Sequence, residues 1–417
     1  MTGTRPALTP AGKAALLLAT AFALMSTAIP APALPQMADH FAGQARHEAL
    51  GRLVLGLIGL IAERPDSAFI IKFFVLSVAA LFIAIGAPVM GRLCDRWGRR
   101  PVLIASLSLF GISGAWGFVI DNLTALLISR ALLGIAVGGI KASTIAMAGD
   151  YFHGAARNRF LGLQGSVMKW GGVAFLFMGS ALANSGWRAP FLVYLIAFAI
   201  LPAVIARLPE SRPQQPARQS GQQRQSGQHE PIPLLAAGTV FLAAFIGSVA
   251  FFVTPTQAPF FVKQSFPDLA PFWRGFAIVA TNIVAAITAT SYFRVKARYS
   301  YGAVFSLIFA LVAAGYFIVS LADSYGLMLA GIALAGCGFG LIVPNQSAWI
   351  LAIVPASRRG YAIGGVTTAM YLGQFAAPII IEAFKAPGDP HAVFRNIAAV
   401  LLVLAALYFI AGRLRRA

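Results

Sequence analysis

The densest group of charged side chains lies in one ten-residue stretch, residues 91–100, which reads GRLCDRWGRR. It holds four arginines, a single aspartate and a glycine near each end, and apolar runs flank it on both sides. The glycines let helices approach closely and let the chain turn tightly. Asp95 is the only acid among the four arginines, so the stretch is an ordered cluster of charge rather than a run of one sign.

Patterns for catalysis or metal binding are missing from the sequence. The five histidines show no ligand spacing, and no HExxH, Walker or GxSxG pattern occurs. Cys94 and Cys337 are far apart, one in the charged stretch and one in an apolar run, so we expect no disulfide. These observations predict a protein that is not an enzyme and that uses no cofactor and no metal.

The composition is that of a membrane protein. Hydrophobic residues make up 59% of the 417 residues and charged residues 11%, with a mean hydropathy of +0.78. In soluble domains about 45–50% of the residues are apolar and about 25% are charged. A helix needs about 20 apolar residues to span a bilayer, and helices satisfy their backbone polar groups in lipid. Twelve segments meet this length: 13–38, 68–90, 101–120, 123–149, 160–184, 189–207, 234–258, 274–293, 302–322, 326–352, 361–383 and 394–411.

The placement of the charges predicts the topology. With the N-terminus inside, the inner segments hold 20 of the 32 cations, against four acids. Positive residues mark the cytoplasmic side, so we expect a multi-pass inner-membrane protein with both termini cytoplasmic. The net charge of +19 then reflects topology and contact with the lipid bilayer, and no nucleic-acid partner is expected. Ala31-Pro32-Ala33 is similar to a signal-peptide cleavage site, but the apolar run before it is too long for one, which favours an uncleaved first helix.

A polar stretch rich in Gln, Ser, Arg and Pro, residues 208–231, cannot bury a core and predicts a flexible cytoplasmic linker. It separates two halves, 1–207 and 232–417. A shift of 202 residues places Gly134 on Gly336 and Gly138 on Gly340 without a gap, which indicates an internal duplication.

The first helix pairs better at a shift of 224 residues, which implies 22 extra residues between the first two helices. They coincide with residues 44–67. This insert is either a short helix on the outer membrane face or a helical extension packed on the second helix.

The charged stretch resembles the signature loop between the second and third helices of the major facilitator superfamily. The pattern G-x-x-x-D-R-x-G-R-R is matched by Gly91, Asp95, Arg96, Gly98, Arg99 and Arg100. The resemblance implies an all-α fold, with twelve transmembrane helices in two pseudo-symmetric six-helix bundles. It also implies that Asp95 lies at a cytoplasmic gate, near the start of the eleventh helix, when that side is closed. The alternative is that the arginines only anchor the topology. Ala297 replaces the carboxylate in the second half, so the gate should be asymmetric.

Three cations lie in the interior of predicted spans, away from the span ends: Arg130, Lys141 and Lys169. Cations near span ends, such as Lys72, are assigned to the inner or outer helix ends. Such residues are costly in a membrane and are functional candidates. Arg130 opens RALLG, which resembles the family pattern R-x-x-x-G and implies a role in proton coupling; snorkelling to the outer surface is the alternative. Lys141 and Lys169 both lie about 13 Å from the cytoplasmic surface. They predict a cavity for an anionic solute or a shared proton, unless their long stems snorkel inward.

The second half supplies uncharged polar groups at membrane depth. Pro255 and Pro259 are expected to break the seventh helix. Polar groups at this depth are tolerated where they line a cavity, although interhelical packing is the alternative for each. The candidates for contact with a solute are Gln257, Asn345, Gln346, Tyr371 and Gln374.

The sequence thus favours a monomeric secondary transporter that works by alternating access and exports a small organic solute, with H⁺ as the expected coupling ion. In the fifth helix, Lys169-Trp170 stand where the family's antiporter pattern has Gly-Pro, a departure from a standard drug/proton antiporter. One alternative is an importer or exchanger of organic anions. Another is a non-transporting sensor, which the short linker and termini disfavour.

Overall fold

The computed structural model describes residues 8–25, 29–41, 67–152, 154–211, 234–354 and 359–414. Nearly all of these residues are helical, and the only extended pairing among them is one isolated bridge between Ala386 and Asp389. The helices are α1 Pro10–Met25, α2 Leu34–His40, α3 Ser67–Lys72, α4 Val78–Trp97, α5 Arg99–Ala115, α6 Leu123–Tyr151, α7 Gly154–Leu182, α8 Ile196–Arg207, α9 Leu234–Ser265, α10 Pro271–Thr290, α11 Tyr292–Arg298, α12 Tyr301–Ser320, α13 Tyr325–Ile353, α14 Arg359–Glu382 and α15 Ala392–Leu414. A π-helical turn, Phe73–Ser77, joins α3 to α4, and a 3₁₀ helix, Ala189–Leu195, leads into α8.

Within the described ranges, eleven helical spans are long and apolar enough to cross a membrane, and they match the second to twelfth predicted segments. The first predicted segment, 13–38, is not one regular helix. After α1, its described part contains a turn at Ile29-Pro30, a 3₁₀ turn at Ala31–Ala33 and the short helix α2. Prolines at positions 30, 32 and 35 explain the irregularity, because each lacks the N–H group that a regular helix needs.

Close glycine contacts relate the two halves. A Cβ on Gly134 of α6 would lie 2.4 Å from the carbonyl oxygen of Ala79 in α4, and one on Gly336 of α13 would lie 2.8 Å from that of Thr281 in α10. Ala79 and Thr281 are 202 residues apart, as are the two glycines. Small residues let membrane helices pack this closely. The duplication is therefore visible as the same helix pair in each half.

The shift of 224 residues in the first helix has a structural counterpart as well. A Cβ on Gly171 of α7 would lie 2.6 Å from the Cβ of Ala21 in α1, and one on Gly373 of α14 would lie 2.4 Å from the carbonyl oxygen of Phe245 in α9. Ala21 and Phe245 are 224 residues apart. The extra residues required by the two shifts therefore fall between Ala21 of α1 and Ala79 of α4. The predicted insert, 44–67, lies outside the described residues except for Ser67.

The expected break in the seventh membrane helix is wrong, because α9 continues through both Pro255 and Pro259. The carbonyl groups that lose a helical donor are those of Phe251 and Pro255, four residues before each proline. Helices in membranes tolerate such prolines where neighbouring groups satisfy the freed carbonyls.

Candidate functional site

The two halves are in contact at one end of the bundle, which we call the far face and define by Asp39 and Lys263. The Lys263 Nζ atom lies 2.5 Å from the Asp39 carboxylate across the interface. The backbone N–H of Phe272 donates to the side-chain oxygen of Asn184 at 2.8 Å, and the rings of Phe177 and Phe272 meet edge to face at 5.6 Å. Polar and aromatic contacts therefore close the far face.

The opposite end, which we call the basic face, contains residues 91–100. The Asp95 side chain is 69% exposed there. A Cβ added to Gly91 of α4, Gly162 of α7 or Gly364 of α14 would meet no other atom within 4 Å. Contacts between the halves thus close the far face, whereas at the basic face Asp95 is exposed and these three glycines have no neighbour within 4 Å among the described residues.

The motif arginine Arg99 is held within the N-terminal half. Its guanidinium is almost fully buried and pairs with Asp150 at the end of α6, at 3.1 Å, and with Asp95 at 3.5 Å. In this conformation the described partner of Asp95 is thus in its own half. The family resemblance implies a contact between Asp95 and the start of α14, but the side chains there, at residues 359–361, lie outside the described part of the structure. Arg96 is exposed.

Glu210 is a motif partner that the sequence analysis did not identify. Its carboxylate accepts hydrogen bonds from the backbone N–H groups of Arg99, at 3.0 Å, and Arg100, at 3.4 Å, so it caps the start of α5. Gly98 has a φ of 101°, and a Cβ on it would lie 2.6 Å from the Glu210 carboxylate. Only glycine fits this turn. The signal in the sequence was an isolated acid among the cations of the inner segments.

Arg130 is fully buried inside the N-terminal half. Its guanidinium donates to the carbonyl oxygens of Ser113, at 3.1 Å, and Gly114, at 3.0 Å, in the last turn of α5. It also donates to the hydroxyl of Tyr194 at 3.4 Å and lies 5.0 Å from the ring centre of Phe191. Snorkelling is therefore wrong for Arg130, because carbonyls and aromatic rings enclose its charge.

Lys141 lies at the interface of the two halves. Its ammonium donates to the hydroxyl of Tyr371 on α14 and lies 4.7 Å from the ring centre of that tyrosine. Tyr371 is mostly buried. The snorkelling alternative is wrong for Lys141, which reaches across to the C-terminal half. Lys169 is half-buried on α7 and has no ion-pair partner among the residues that the structure describes.

Of the amide candidates, Asn345 and Gln346 contact residues of their own half, whereas Gln374 lies at the interface between the halves. Asn345 donates to the carbonyl oxygen of Tyr301 at 3.1 Å and accepts from the hydroxyl of Tyr292 at 3.2 Å, as expected for packing within one half. Gln346 donates to the sulfur of Met370 at 2.9 Å. Gln374 lies at the interface between the halves, because its backbone carbonyl oxygen accepts from the Ser77 hydroxyl at 3.4 Å.

Lys72 is a buried cation that the sequence analysis did not single out as a candidate. It is 2% exposed, and its Nζ atom donates to the Oε1 atom of Gln257 in the other half at 3.1 Å. The same Nζ atom lies 4.2 Å from the ring centre of Phe260. The sequence signal of this burial is its position as the fifth residue of the predicted span 68–90.

Known proteins share this sequence pattern and this fold. Multidrug resistance protein 1 of Bacillus subtilis is 26% identical over 74% of this chain and 78% of its own length. Niacin transporter NiaP of Acinetobacter baylyi is 29% identical over 34% of this chain, and the matches to this and the next two curated relatives span about a third of those proteins.

The crystal structure of the human organic anion transporter MFSD10 has the same fold, with a TM-score of 0.67 and 20% identity over 96% of this chain and all of that one. The family model of the Major Facilitator Superfamily matches residues 16–378 and 275–416. This match covers most of the chain and agrees with the charged stretch, the duplicated halves and the helical fold, so the chain belongs to the Major Facilitator Superfamily.

Proposed function

We propose that the protein is a secondary active transporter that moves a small organic solute across the membrane by alternating access. The supporting observation is the asymmetric contact between the halves: the Asp39–Lys263 pair joins them at the far face, whereas Asp95 is exposed at the basic face. Alternating access requires two states that differ in which face is closed. Relatives named as transporters and as a multidrug resistance protein support the same function.

We further propose that the basic face is cytoplasmic, because positively charged residues are concentrated there. Both termini are then on the cytoplasmic side of the inner membrane. The halves 1–207 and 232–417 are joined by a cytoplasmic linker, 208–231, and the insert 44–67 lies on the outer face. The proposed unit is a monomer that exports its solute in exchange for H⁺.

The chemistry of the interface favours an anionic solute. Lys141 and Lys169 place two ammonium groups within membrane-spanning helices. The carboxylates among the described residues lie at helix ends or in loops, away from that depth. A charge-assisted hydrogen bond to a solute anion contributes about 1.5–3 kcal/mol, whereas a lipophilic cation is repelled.

Replacing both lysines with methionine, K141M/K169M, should weaken the binding of an organic anion at least about tenfold, or 1.4 kcal/mol. The reason is that methionine keeps the side-chain length but removes both charges. A thermal-shift screen of the purified protein with benzoate, benzenesulfonate and tetraphenylphosphonium selects the anion, and titration gives its affinity. The matched control, R294M/K296M, removes two charges from α11, outside the cavity.

The control variant should bind the anion as the unmodified protein does. A preference for tetraphenylphosphonium, or equal anion affinity in K141M/K169M and the unmodified protein, contradicts the anionic substrate. Flux of the bound solute in proteoliposomes, with an imposed pH gradient of either sign, then tests transport, direction and coupling together.

The variant D95N should slow transport about five- to thirtyfold, because a carboxylate at a helix N-terminus contributes up to about 1–2 kcal/mol to the state that is closed at the basic face. The state described here should keep its thermal stability, since Asp95 is mostly exposed in it. Solute flux and thermal unfolding are the measurements. D323N, at an exposed position between α12 and α13, is the control. Transport at the unmodified rate in D95N contradicts the gate.

A further inference from the structure

Near the far face, Lys72 ends α3 immediately before the π-helical turn Phe73–Ser77. Such turns are rare and are frequent at functional sites. The next ring, Phe73, lies 5.5 Å from Phe375 in the other half. Lys72 is therefore held at the junction of the halves, a few residues inside the membrane span that begins at Phe69.

Gln257 provides a second hydrogen-bond donor beside the Lys72 ammonium. Its Oε1 atom accepts from Lys72, so its Nε2 atom, on the same planar amide, lies next to that cation. Gln257 is 6% exposed, and Nε2 has no hydrogen-bond partner among the described residues. A buried donor without a partner is unfavourable, because it has lost its hydrogen bonds to water. This cost is removed if a ligand supplies the acceptor.

The two side chains line a cavity of about 520 Å³ between α3, α9 and the connection from α14 to α15. This volume is within the range of small-molecule sites, about 300–1,000 Å³. Both acids in its wall already have cationic partners. Glu382 pairs with Lys385 at 2.8 Å and Asp389 with Arg395 at 3.0 Å. Their repulsion of an anion is thereby reduced.

We propose that this cavity is a binding site for a small organic carboxylate, distinct from the site at Lys141 and Lys169. One carboxylate oxygen accepts from Lys72 Nζ and the other from Gln257 Nε2, and the apolar part of the ligand packs on Phe260. The ligand then contacts both halves where they meet, which favours the conformation closed at the far face. This inference goes beyond the proposed function, because binding here requires neither transport nor the Lys141 cavity.

The test uses benzoate as the probe and the full-length K141M/K169M protein as the parent, so that binding at the other proposed site is suppressed. Isothermal titration should detect one benzoate site in this parent and no binding of benzylammonium. Adding K72M should weaken benzoate binding at least about tenfold. Adding Q257E should do the same, because it retains an acceptor for Lys72 but replaces the free donor with an anionic oxygen.

The matched control, K263M, removes a far-face lysine that does not line the cavity, and it should leave benzoate affinity within about twofold. Adding K72R, which keeps the charge, should retain most of the binding. Q257E guards against misfolding of K72M, since it preserves side-chain size. If the K141M/K169M parent binds no benzoate, or if K72M and Q257E bind it as the parent does, the second site is wrong. The proposed function is judged separately, by solute flux in the unmodified protein.

Discussion

Transport should stop when positions 39 and 263 are joined by a short reducible cross-linker, and it should recover when the linker is reduced. Asp39 and Lys263 belong to different halves and lie 2.5 Å apart at the far face. Any cycle that opens this face must separate them. The ion pair is partly exposed and contributes only about 0–1 kcal/mol, so it does not hold the conformation by itself. A covalent link does, and the expected loss of flux is therefore nearly complete.

The experiment uses D39C/K263C in a background in which Cys94 and Cys337, both free thiols, are replaced by alanine. A reagent with two thiosulfonate groups forms the link, and solute flux in proteoliposomes is measured before and after reduction. The uncross-linked variant should transport normally, because removing a weak surface pair has little effect.

A matched control places the same chemistry within one half. His40 and Asp121 lie 2.7 Å apart at the far face, both in the N-terminal half. Hydrogen bonds from Arg188 and His40 lower the pKa of Asp121, so the group is ionised at neutral pH. Cross-linked H40C/D121C should transport at its uncross-linked rate. Undiminished flux through fully cross-linked D39C/K263C contradicts alternating access.

The helices and the duplication could be predicted because the information is local. A span needs only an apolar run of sufficient length, and among the described residues eleven of the twelve predicted segments form such spans. The repeat was readable from glycines because a close helix contact tolerates no larger side chain, as at Gly134 and Gly336. The irregular first segment shows the limit of this reasoning, since its prolines interrupt the helix without lowering its hydrophobicity.

The candidate site was harder to predict, because its side chains are defined by partners far away in the sequence. From the sequence alone, Lys72 is a lysine near the membrane surface. Its burial follows from contact with Gln257, which lies 185 residues later in the chain. Asn345 is a polar residue at membrane depth, as expected for a residue that lines a cavity, yet its hydrogen-bond partners are in its own half. Distant packing decided both of these cases.

Replacing Arg130 should mainly damage folding. The guanidinium caps the end of α5 through the carbonyl oxygens of Ser113 and Gly114. The last carbonyls of a helix lack intrahelical partners and favour a cation. R130M leaves these carbonyls without their charged donor, at a cost of about 1–3 kcal/mol for each buried group that stays unpaired. We expect a severe loss of monodisperse protein after extraction from the membrane.

The conservative variant separates this structural role from the proton-coupling role that the family resemblance implies. Lysine keeps the charge but cannot supply the planar fork that reaches Ser113, Gly114 and Tyr194 together. If Arg130 acts through packing, R130K should lower the thermal stability markedly, and the folded fraction should still transport with coupling to the pH gradient. If Arg130 carries the coupling instead, R130K should fold normally and lose the response of flux to the gradient.

The control for this comparison is K141M, which removes another intramembrane cation from the same helix, α6. Lys141 is only partly buried, and its described partner is the Tyr371 hydroxyl together with the ring. Its loss leaves no helix end uncapped, so K141M should yield stable protein and alter anion binding instead. Replacing the two cations, which are eleven residues apart on α6, is thus expected to change two different properties of the protein. Arg130 should determine thermal stability and Lys141 ligand affinity, because Arg130 is enclosed within one half whereas Lys141 lies between the two.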